Sequence, residues 1–273
     1  MTRPNGFSPA TIAAVVVLAA ICVVVTVVWN APANWLAVDL ANRTHGVFLL
    51  ADARGTVWNG SAVMALGSPD PAFDAAASNP RAPNALALPG RVTWTLEIDR
   101  GLALVLHLTH DGVLTKPLAI RYRDGGLAVD PGSAVLPAAI LRLTGAPLNT
   151  LLPEGRCALQ WSDLRFGGPG FPTGSGTLRV GAFALAISPV RPLGDYLLSW
   201  ASGATGVTWR LSTDHGPLDV QGSGSVVGRR GQVRVVVRIA RDASAAVAAQ
   251  LNPLLDMLGR RNSDEAVIEV GGR

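Results

Sequence analysis

Four histidines are the side chains in this sequence that could act as metal ligands or general bases near neutral pH. They are His45, His107, His110 and His215. His107 and His110 lie three residues apart in a segment that alternates like a strand. We therefore expect them on opposite faces, where they cannot share a metal ion. The sequence has no H-E-x-x-H motif, and the histidines predict no metal site.

Carboxylates, serines and cysteines give no catalytic pattern either. Glu97 and Asp99 share a strand face, but glycosidase carboxylates usually come from different elements, so we interpret this pair as solvated. Gly222-Ser-Gly-Ser225 lacks the second spaced glycine of a nucleophile elbow, and we interpret it as a turn. Cys22 lies in an apolar stretch and Cys157 in an expected strand far downstream, so a disulfide between them is not expected.

Phosphate-binding motifs are also missing, since the sequence contains neither a P-loop nor a G-x-G-x-x-G after a strand. Of the 23 basic residues, 22 are arginine and Lys116 is the only lysine. This bias has two explanations: binding of phosphate or carboxylate groups by guanidinium, or codon usage in a high-GC genome. Basic residues are interspersed with acidic ones, which argues against nucleic-acid binding. We predict a protein that is not an enzyme, with no catalytic, cofactor-binding or metal-binding residues and no cofactor or small-molecule substrate.

The composition favours many short strands. Hydrophobic residues make up 49% of the 273 residues and charged residues 15%, which excludes a disordered chain. The 30 glycines and 19 prolines indicate many turns.

The N-terminal segment predicts a membrane helix. No charged residue occurs from Phe7 to Ala37, and residues 10–29 include eight Val, two Ile and one Leu. Twenty helical residues reach about 30 Å, the thickness of the bilayer core. The alternative is a cleaved signal peptide, because Ala31-Pro-Ala33 resembles a cleavage site, although the apolar region of such a peptide is shorter.

The expected organisation has three parts: a cytoplasmic tail (1–8), a transmembrane helix (9–30) and a periplasmic β-rich domain (31–273). The orientation rests on the short tail and on Arg3, because a short N-terminal tail with a cation stays in the cytoplasm most easily. We therefore predict a single-pass protein of the cell inner membrane with its C-terminal domain in the periplasm.

Alternating apolar residues predict the strands of that domain. Leu102, Leu104, Leu106 and Leu108 share one face, as do the alternate residues Val233 to Ile239, with Arg234 and Arg238 on the opposite face. Further strands are expected at 118–123, 176–180 and 182–187, separated by turns at 124–126 and 222–224. The fold class is mainly β, with a curved or sandwich-like antiparallel sheet after the membrane helix and a short C-terminal helical region.

Three further segments organise the chain. Val92-Thr-Trp-Thr-Leu96 recurs as Val207-Thr-Trp-Arg-Leu211, which indicates two related β halves or a chance likeness of two pentapeptides. Gly55 and Gly60 bracket residues 56–59, where we expect a short strand whose Trp58 is anchored in the core. Residues 67–90 hold five prolines, and we predict a disordered loop there.

The C-terminal helical region is predicted from capping residues. Asp242 is expected to cap a helix over 243–251, and Asn252 a second one that begins at Pro253 and ends at Gly259. Its leucines (Leu251, Leu254, Leu255 and Leu258) form one apolar face. That face either packs on the β core or docks a partner.

The order of several blocks carries a family resemblance. The blocks are Ala31-Pro-Ala-Asn-Trp-Leu36, Asp52-Ala-Arg-Gly-Thr-Val-Trp-Asn-Gly-Ser-Ala62, Gly90-Arg-Val-Thr-Trp94, Pro192-Leu-Gly-Asp-Tyr196, Gly216-Pro-Leu-Asp-Val-Gln-Gly-Ser-Gly224 and the leucines from Leu251 to Leu258. This set resembles the type II secretion system protein N family (general secretion pathway protein N), and the Gly-Thr-Val-Trp-Asn-Gly part is the most telling.

The resemblance implies an inner-membrane subunit of the machine that exports folded proteins across the outer membrane, with other inner-membrane components of the type II secretion system as partners. It implies no catalytic residues. The alternative function is an anchored periplasmic β-groove protein that handles lipid. The Leu102–Leu108 face would then line an open groove instead of a filled core, and the sequence leaves both open.

Overall fold

The structure, a computed structural model, describes residues 9–67, 85–144, 148–167, 171–228, 230–258, 260–262 and 265–271. The predicted cytoplasmic tail and residues 68–84 of the predicted loop lie outside these ranges.

Two helices precede the sheets. Helix α1 covers Pro9–Trp29 and helix α2 covers Ala33–Arg43. Side chains of α1 are described from Val15 onward, and among the described residues no helix has the length and apolar character that crossing a bilayer requires. The membrane helix expected over 9–30 stays a prediction. In α2, three alanines spaced by four residues (Ala33, Ala37 and Ala41) are buried, which brings this helix close to the strands beneath it.

The first sheet is antiparallel and has eight strands. They are β1 (Phe48–Gly55), β2 (Asn59–Leu66), β3 (Leu86–Ala87), β4 (Val92–Ile98), β5 (Leu104–His110), β6 (Leu118–Arg123), β7 (Gly126–Val129) and β10 (Leu164–Phe166). Their order across the sheet is β1-β2-β4-β5-β6-β7-β10, with β3 paired to β2.

The second sheet is also antiparallel and has nine strands. They are β8 (Gly132–Pro137), β9 (Pro153–Trp161), β11 (Gly174–Leu185), β12 (Gly194–Gly203), β13 (Gly206–His215), β14 (Leu218–Val227), β15 (Arg230–Ile239), β16 (Arg260–Asn262) and β17 (Glu265–Gly271). Their order is β16-β17-β15-β14-β13-β12-β11-β9-β8. A 3₁₀ helix (Ala138–Thr144) and helix α3 (Leu148–Leu151) connect β8 to β9, and helix α4 (Ala245–Leu258) follows β15.

Backbone hydrogen bonds join the two sheets. The Thr115 amide donates to the Ser133 carbonyl, and the Val135 amide donates to the Val113 carbonyl, at 3.2 and 2.7 Å. Arg165 and Thr173 form a further bridge between β10 and the start of β11. The mainly β antiparallel class predicted from the sequence is confirmed, and it consists of two linked sheets.

Several strand predictions are confirmed by the register. Leu104, Leu106 and Leu108 share one face of β5, whereas Leu102 lies in the preceding turn with a positive φ of 58° and is 85% exposed. The prediction was wrong for Leu102 because Asp99 ends the alternation: its carboxylate accepts hydrogen bonds from the amides of Gly101 and Ala103, which closes a turn.

The predicted turn at Gly222–Gly224 is also wrong, because both glycines lie within β14. Glycine signals a turn, but it equally suits a strand that a neighbouring side chain must approach closely. The turn at 124–126 is confirmed in its position, since β6 ends at Arg123 and β7 begins at Gly126.

The loop and the C-terminal helices also differ from expectation. Inside the predicted 67–90 loop, β3 pairs with β2 and Leu88 is buried. The C-terminal region is one helix with Pro253 inside it, and Ser244 caps its start by accepting from the Val247 amide. Leucine packing maintains the helix across Pro253, because Leu251 and Leu255 are almost fully buried.

Candidate interaction surfaces

The end of α1 is attached to the first sheet at the β1–β2 turn. The indole Nε1 of Trp58 donates to the Val28 carbonyl at 2.7 Å, and the Val57 amide donates to the Ala31 carbonyl at 2.9 Å. The rings of Trp29 and Trp58 stack with centroids 6.2 Å apart. These contacts fix where the N-terminal helix meets the sheet.

The predictions of a strand over residues 56–59 and of a core position for Trp58 were wrong. The short strand expected over 56–59 is absent as such, because Val57 and Trp58 lie in the turn and β2 begins at Asn59. Trp58 is half-buried against α1 and is not in the core. The core tryptophan is Trp94, which is 3% exposed and donates to the Val57 carbonyl at 3.1 Å. Contacts between residues so far apart leave no local signal in the sequence.

An ion-pair cluster clamps β1 to the sheet beside this turn. Arg91 donates to the Asp52 carboxylate and to its carbonyl, both at 2.7 Å, and Arg54 lies 2.9 Å from the same carboxylate. The Arg91 and Arg54 hydrogen bonds lower the pKa of Asp52 below its usual value. Asp52 has a positive φ of 49° at an irregularity of the β1–β2 register, so the cluster stabilises a strained position.

Tryptophan rings lie over glycines of neighbouring strands in both sheets. A Cβ on Gly60 would fall 2.5 Å from the ring of Trp94, and one on Gly224 would fall 2.4 Å from that of Trp209. The pairs Trp161–Gly132 and Trp200–Gly176 repeat this arrangement in the second sheet. Each glycine is therefore required for a flat ring to cover the strand.

The two related pentapeptides share this local role. Trp94 and Trp209 each cover a glycine, but Gly60 belongs to β2, which comes before the tryptophan strand β4 in the chain, and Gly224 belongs to β14, which comes after the tryptophan strand β13. The two pentapeptides are therefore alike in how the tryptophan ring contacts a glycine, but the glycine strand precedes the tryptophan strand in one case and follows it in the other.

One face of the second sheet is apolar, and its two ends differ in coverage. At one end, residues of α4 pack on Leu218 and Val237. Nearby, Ala138 packs with Cys157, Val180 and Tyr196. Burial raises the pKa of the Cys157 thiol to about 11 and raises that of Tyr196 as well.

At the other end of the same face, a row of residues runs directly across the strands: Gly132, Trp161, Gly176, Trp200, Trp209, Gly224 and Val233. These side chains are only half-buried. A cavity of about 470 Å³ on β12, β13 and β14 is lined by residues of both sheet faces: Trp200, Trp209 and Gly224 from this row, and Ser199, Ala201, Thr208, Arg210 and Ser223 from the opposite, polar face. The sheet thus has a filled core at one end and a partly open apolar face at the other.

The residues singled out for chemistry are dispersed. His107 and His110 do lie on opposite faces of β5, and His110 is buried with its Nδ1 3.0 Å from the Asp111 carbonyl. Cys22 and Cys157 are both free thiols, as expected. In the described ranges, no three His, Cys, Asp or Glu side chains come together as metal ligands.

The arginine pair of β15 occupies the polar face of the second sheet. Arg238 lies opposite Asp219 and donates to its carboxylate at 2.7 Å, and Arg234 lies opposite Ser223. Arg234 is exposed, whereas Arg238 is half-buried by this pairing. The two do share a face, but they differ in exposure.

Taken together, these features define a two-sheet antiparallel β protein whose N-terminal helix is attached at one sheet end. The family model of type II secretion system (T2SS), protein N, matches residues 48–268, and the chain therefore belongs to that family. The resemblance inferred from the sequence is confirmed, and membership makes the chain a component of the type II secretion system. Comparison with the curated proteins and with the solved structures gave no match.

Proposed function

We propose that the chain is a single-span inner-membrane subunit of the type II secretion system, with its β sheets in the periplasm, and that it acts through protein contact without catalysis. The observation that carries the proposal is the exposure of α1. Every large apolar side chain described in it, from Val15 to Trp29, is between 48% and 73% exposed. A helix that is apolar on all sides is stable only where an apolar medium covers it.

The sequence of the N-terminal segment supports a span. No charged residue occurs from Phe7 to Ala37, and twenty helical residues reach about 30 Å, close to the thickness of the hydrocarbon core. Trp29 at the end of α1 and Trp35 in α2 are exposed and suit the bilayer interface. Arg3, which precedes the apolar stretch, favours the cytoplasmic side for the start of α1, and this directs residues 31–273 to the periplasm.

Association with other inner-membrane components tests this function. The full chain, crosslinked in cells and purified in mild detergent, should retain components of the secretion system. Recovery of the chain without any of them would contradict the proposal. Extraction by alkaline carbonate provides a separate test of the span, because a spanning helix should remain with the membrane.

A charge reversal tests the polar face of the second sheet. Arg234→Glu changes an exposed cation, and it should reduce crosslinking if partners bind there. Arg238→Glu also breaks the pair with Asp219, so the matched control is the swap Arg238→Asp with Asp219→Arg. Unchanged secretion and unchanged complexes in Arg234→Glu would indicate that this face is passive.

A second candidate is lipid handling, favoured by the half-open apolar face around Trp200 and Trp209. The half-exposed apolar side chains of this face could line a groove for an acyl chain. Mass spectrometry of the purified protein should then detect retained lipid, and its loss in a Trp200→Glu variant would place the lipid on this face. A protein purified without bound lipid would contradict this candidate.

A further inference from the structure

We infer that the end of the first sheet next to α1 is a membrane-contact edge, defined here as Ile98, Leu102, Tyr122 and Phe166, whose apolar side chains insert into the interface of the bilayer that holds α1. The inference rests on the proposed membrane anchor and adds a second point of contact. No residue of this edge belongs to the junction that holds α1.

The strand register brings the edge to the same end of the sheet as α1. Asn59, which follows the α1 junction, pairs with Thr95, and β4 continues three residues further to Ile98. Ile98 pairs with Leu104, Leu104 with Tyr122, Tyr122 with Leu127, and Leu127 with Phe166. These five residues form one row across β4, β5, β6, β7 and β10. The row thus lies at the end of the sheet that carries the α1 junction.

The side chains of the edge are exposed. Ile98 is 58% exposed, Leu102 85%, Tyr122 48% and Phe166 40%. They make up four of the nine large apolar side chains that are exposed outside α1 in the described ranges. The next row inward is Leu96, Leu106, Ile120, Val129 and Leu164, and it is half-buried. The edge is therefore the margin of a continuous apolar surface, which is the kind of surface that binds a membrane or a protein.

The tip of the edge is held in a strained conformation. Leu102 has a φ of 58°, which L-residues other than Asn and Asp seldom adopt. The amides of Gly101 and Ala103 donate to the Asp99 carboxylate and stabilise the turn, and the leucine side chain stays exposed. Exposure of this leucine to water does not stabilise the protein, whereas transfer of its side chain into an apolar phase would lower the free energy.

The small net charge around the edge favours insertion of its apolar side chains into lipid over electrostatic binding to charged headgroups. Exposed Arg100 and Arg123 flank the edge, but Asp99 and Asp124 accompany them, and Arg123 pairs with Asp124 at 3.3 Å. The net charge around the edge is thus near zero, so attraction to anionic headgroups cannot provide the binding. The occupant that fits is the boundary between headgroups and acyl chains, where apolar and aromatic side chains are both favourable.

Spin-label depth measurements on the full chain in phosphatidylethanolamine–phosphatidylglycerol vesicles test the inference. Native Cys22 carries the label that reports on α1, while buried Cys157 stays unlabelled. Leu102→Cys and Phe48→Cys, each with Cys22→Ala, report on the edge and on a control site. Phe48 is 41% exposed and lies at the opposite end of the same sheet.

We expect the label at position 102 to collide with oxygen several times more often than with a water-soluble nickel complex, and the label at position 48 to show the reverse. If the Cys22 label is in lipid while position 102 is as water-accessible as position 48, the edge inference is wrong and the anchor stands. If position 102 is shielded from both reagents, a protein covers the edge and the inference is also wrong. A water-exposed Cys22 label would overturn the anchor and the edge together.

Discussion

The tryptophan–glycine contacts predict a large effect from adding a single methyl group at Gly224. The Gly224→Ala Cβ would lie 2.4 to 2.6 Å from three atoms of the Trp209 ring and would meet no backbone atom among its nearest neighbours. The ring must therefore lift by about 1 Å, which forfeits a quarter to a half of its contact energy with the strand. All of the predicted cost thus comes from Trp209.

The magnitude follows from the ring area. A tryptophan buries about 150–250 Å². Losing about 60 Å² of that contact costs about 1.5 kcal/mol at 25 cal/mol per Å². Replacing glycine with alanine also stabilises the strand by about 0.5 kcal/mol, because glycine loses more conformational entropy on folding. The net destabilisation of about 1 kcal/mol corresponds to about 2–4 °C in Tm for a protein of this size.

Thermal unfolding followed by circular dichroism in mild detergent provides the assay, with Gly203→Ala as the matched control. Gly203 is also in a strand of the second sheet, but the methyl group of an alanine there would meet no atom within 4 Å, so this substitution should be neutral or slightly stabilising. In a Trp209→Leu background, Gly224→Ala should lose its cost. An equal cost with and without Trp209 would refute the ring contact as the cause.

Three further predictions concern burial and ionisation. Leu255→Ala should lower stability by about 3 kcal/mol because this side chain is 1% exposed in the α4 core, whereas Leu102→Ala should leave unfolding in detergent unchanged. At pH 8 an alkylating reagent should leave Cys157 intact in the folded, detergent-solubilised protein and modify it once the protein unfolds, because burial raises the pKa of Cys157 to about 11. Asp52→Asn should make the free energy of unfolding depend less on pH in acid. The pKa of Asp52 is lower in the folded protein than its usual value of 3.8, so the ionised carboxylate stabilises the folded protein above pH 3.8 and loses this effect as the pH falls through the folded-state pKa. The stabilities of wild type and variant should therefore converge in acid. Equal slopes on the acid side would show that the Arg91 contact is not maintained in solution.

Period-2 patterns were the most reliable guide to this fold. Residues 118–123 and 233–239 were predicted as strands, and they match β6 and most of β15, because alternation reflects a sheet with one buried face. The same signal could not reveal that the strands divide between two sheets, since strand pairing depends on contacts far apart in the sequence.

Glycine and tryptophan were harder to interpret from the sequence. Gly222 and Gly224 were predicted in a turn because glycine commonly occupies turns, but the Trp209 ring provides the competing reason for glycine in a strand. Trp58 was assigned to the core as the anchor of the segment between Gly55 and Gly60, whereas its partner is the carbonyl of Val28. Finding either contact requires knowing which strand or helix lies alongside.

The block that carried the family resemblance has a structural reason to be distinctive. Asp52 holds Arg91 at a bulge, Gly60 makes room for Trp94, and Trp58 contacts the end of α1. These contacts meet within a single turn of the chain, so this segment couples the N-terminal helix to the sheet. Because the sheet end beyond it carries the membrane-contact edge, a rigid junction would hold that edge at a fixed height relative to α1. A loose junction would let the sheet tilt and withdraw Leu102, so the two proposed contacts with the bilayer, α1 and the edge, would depend on the same few residues.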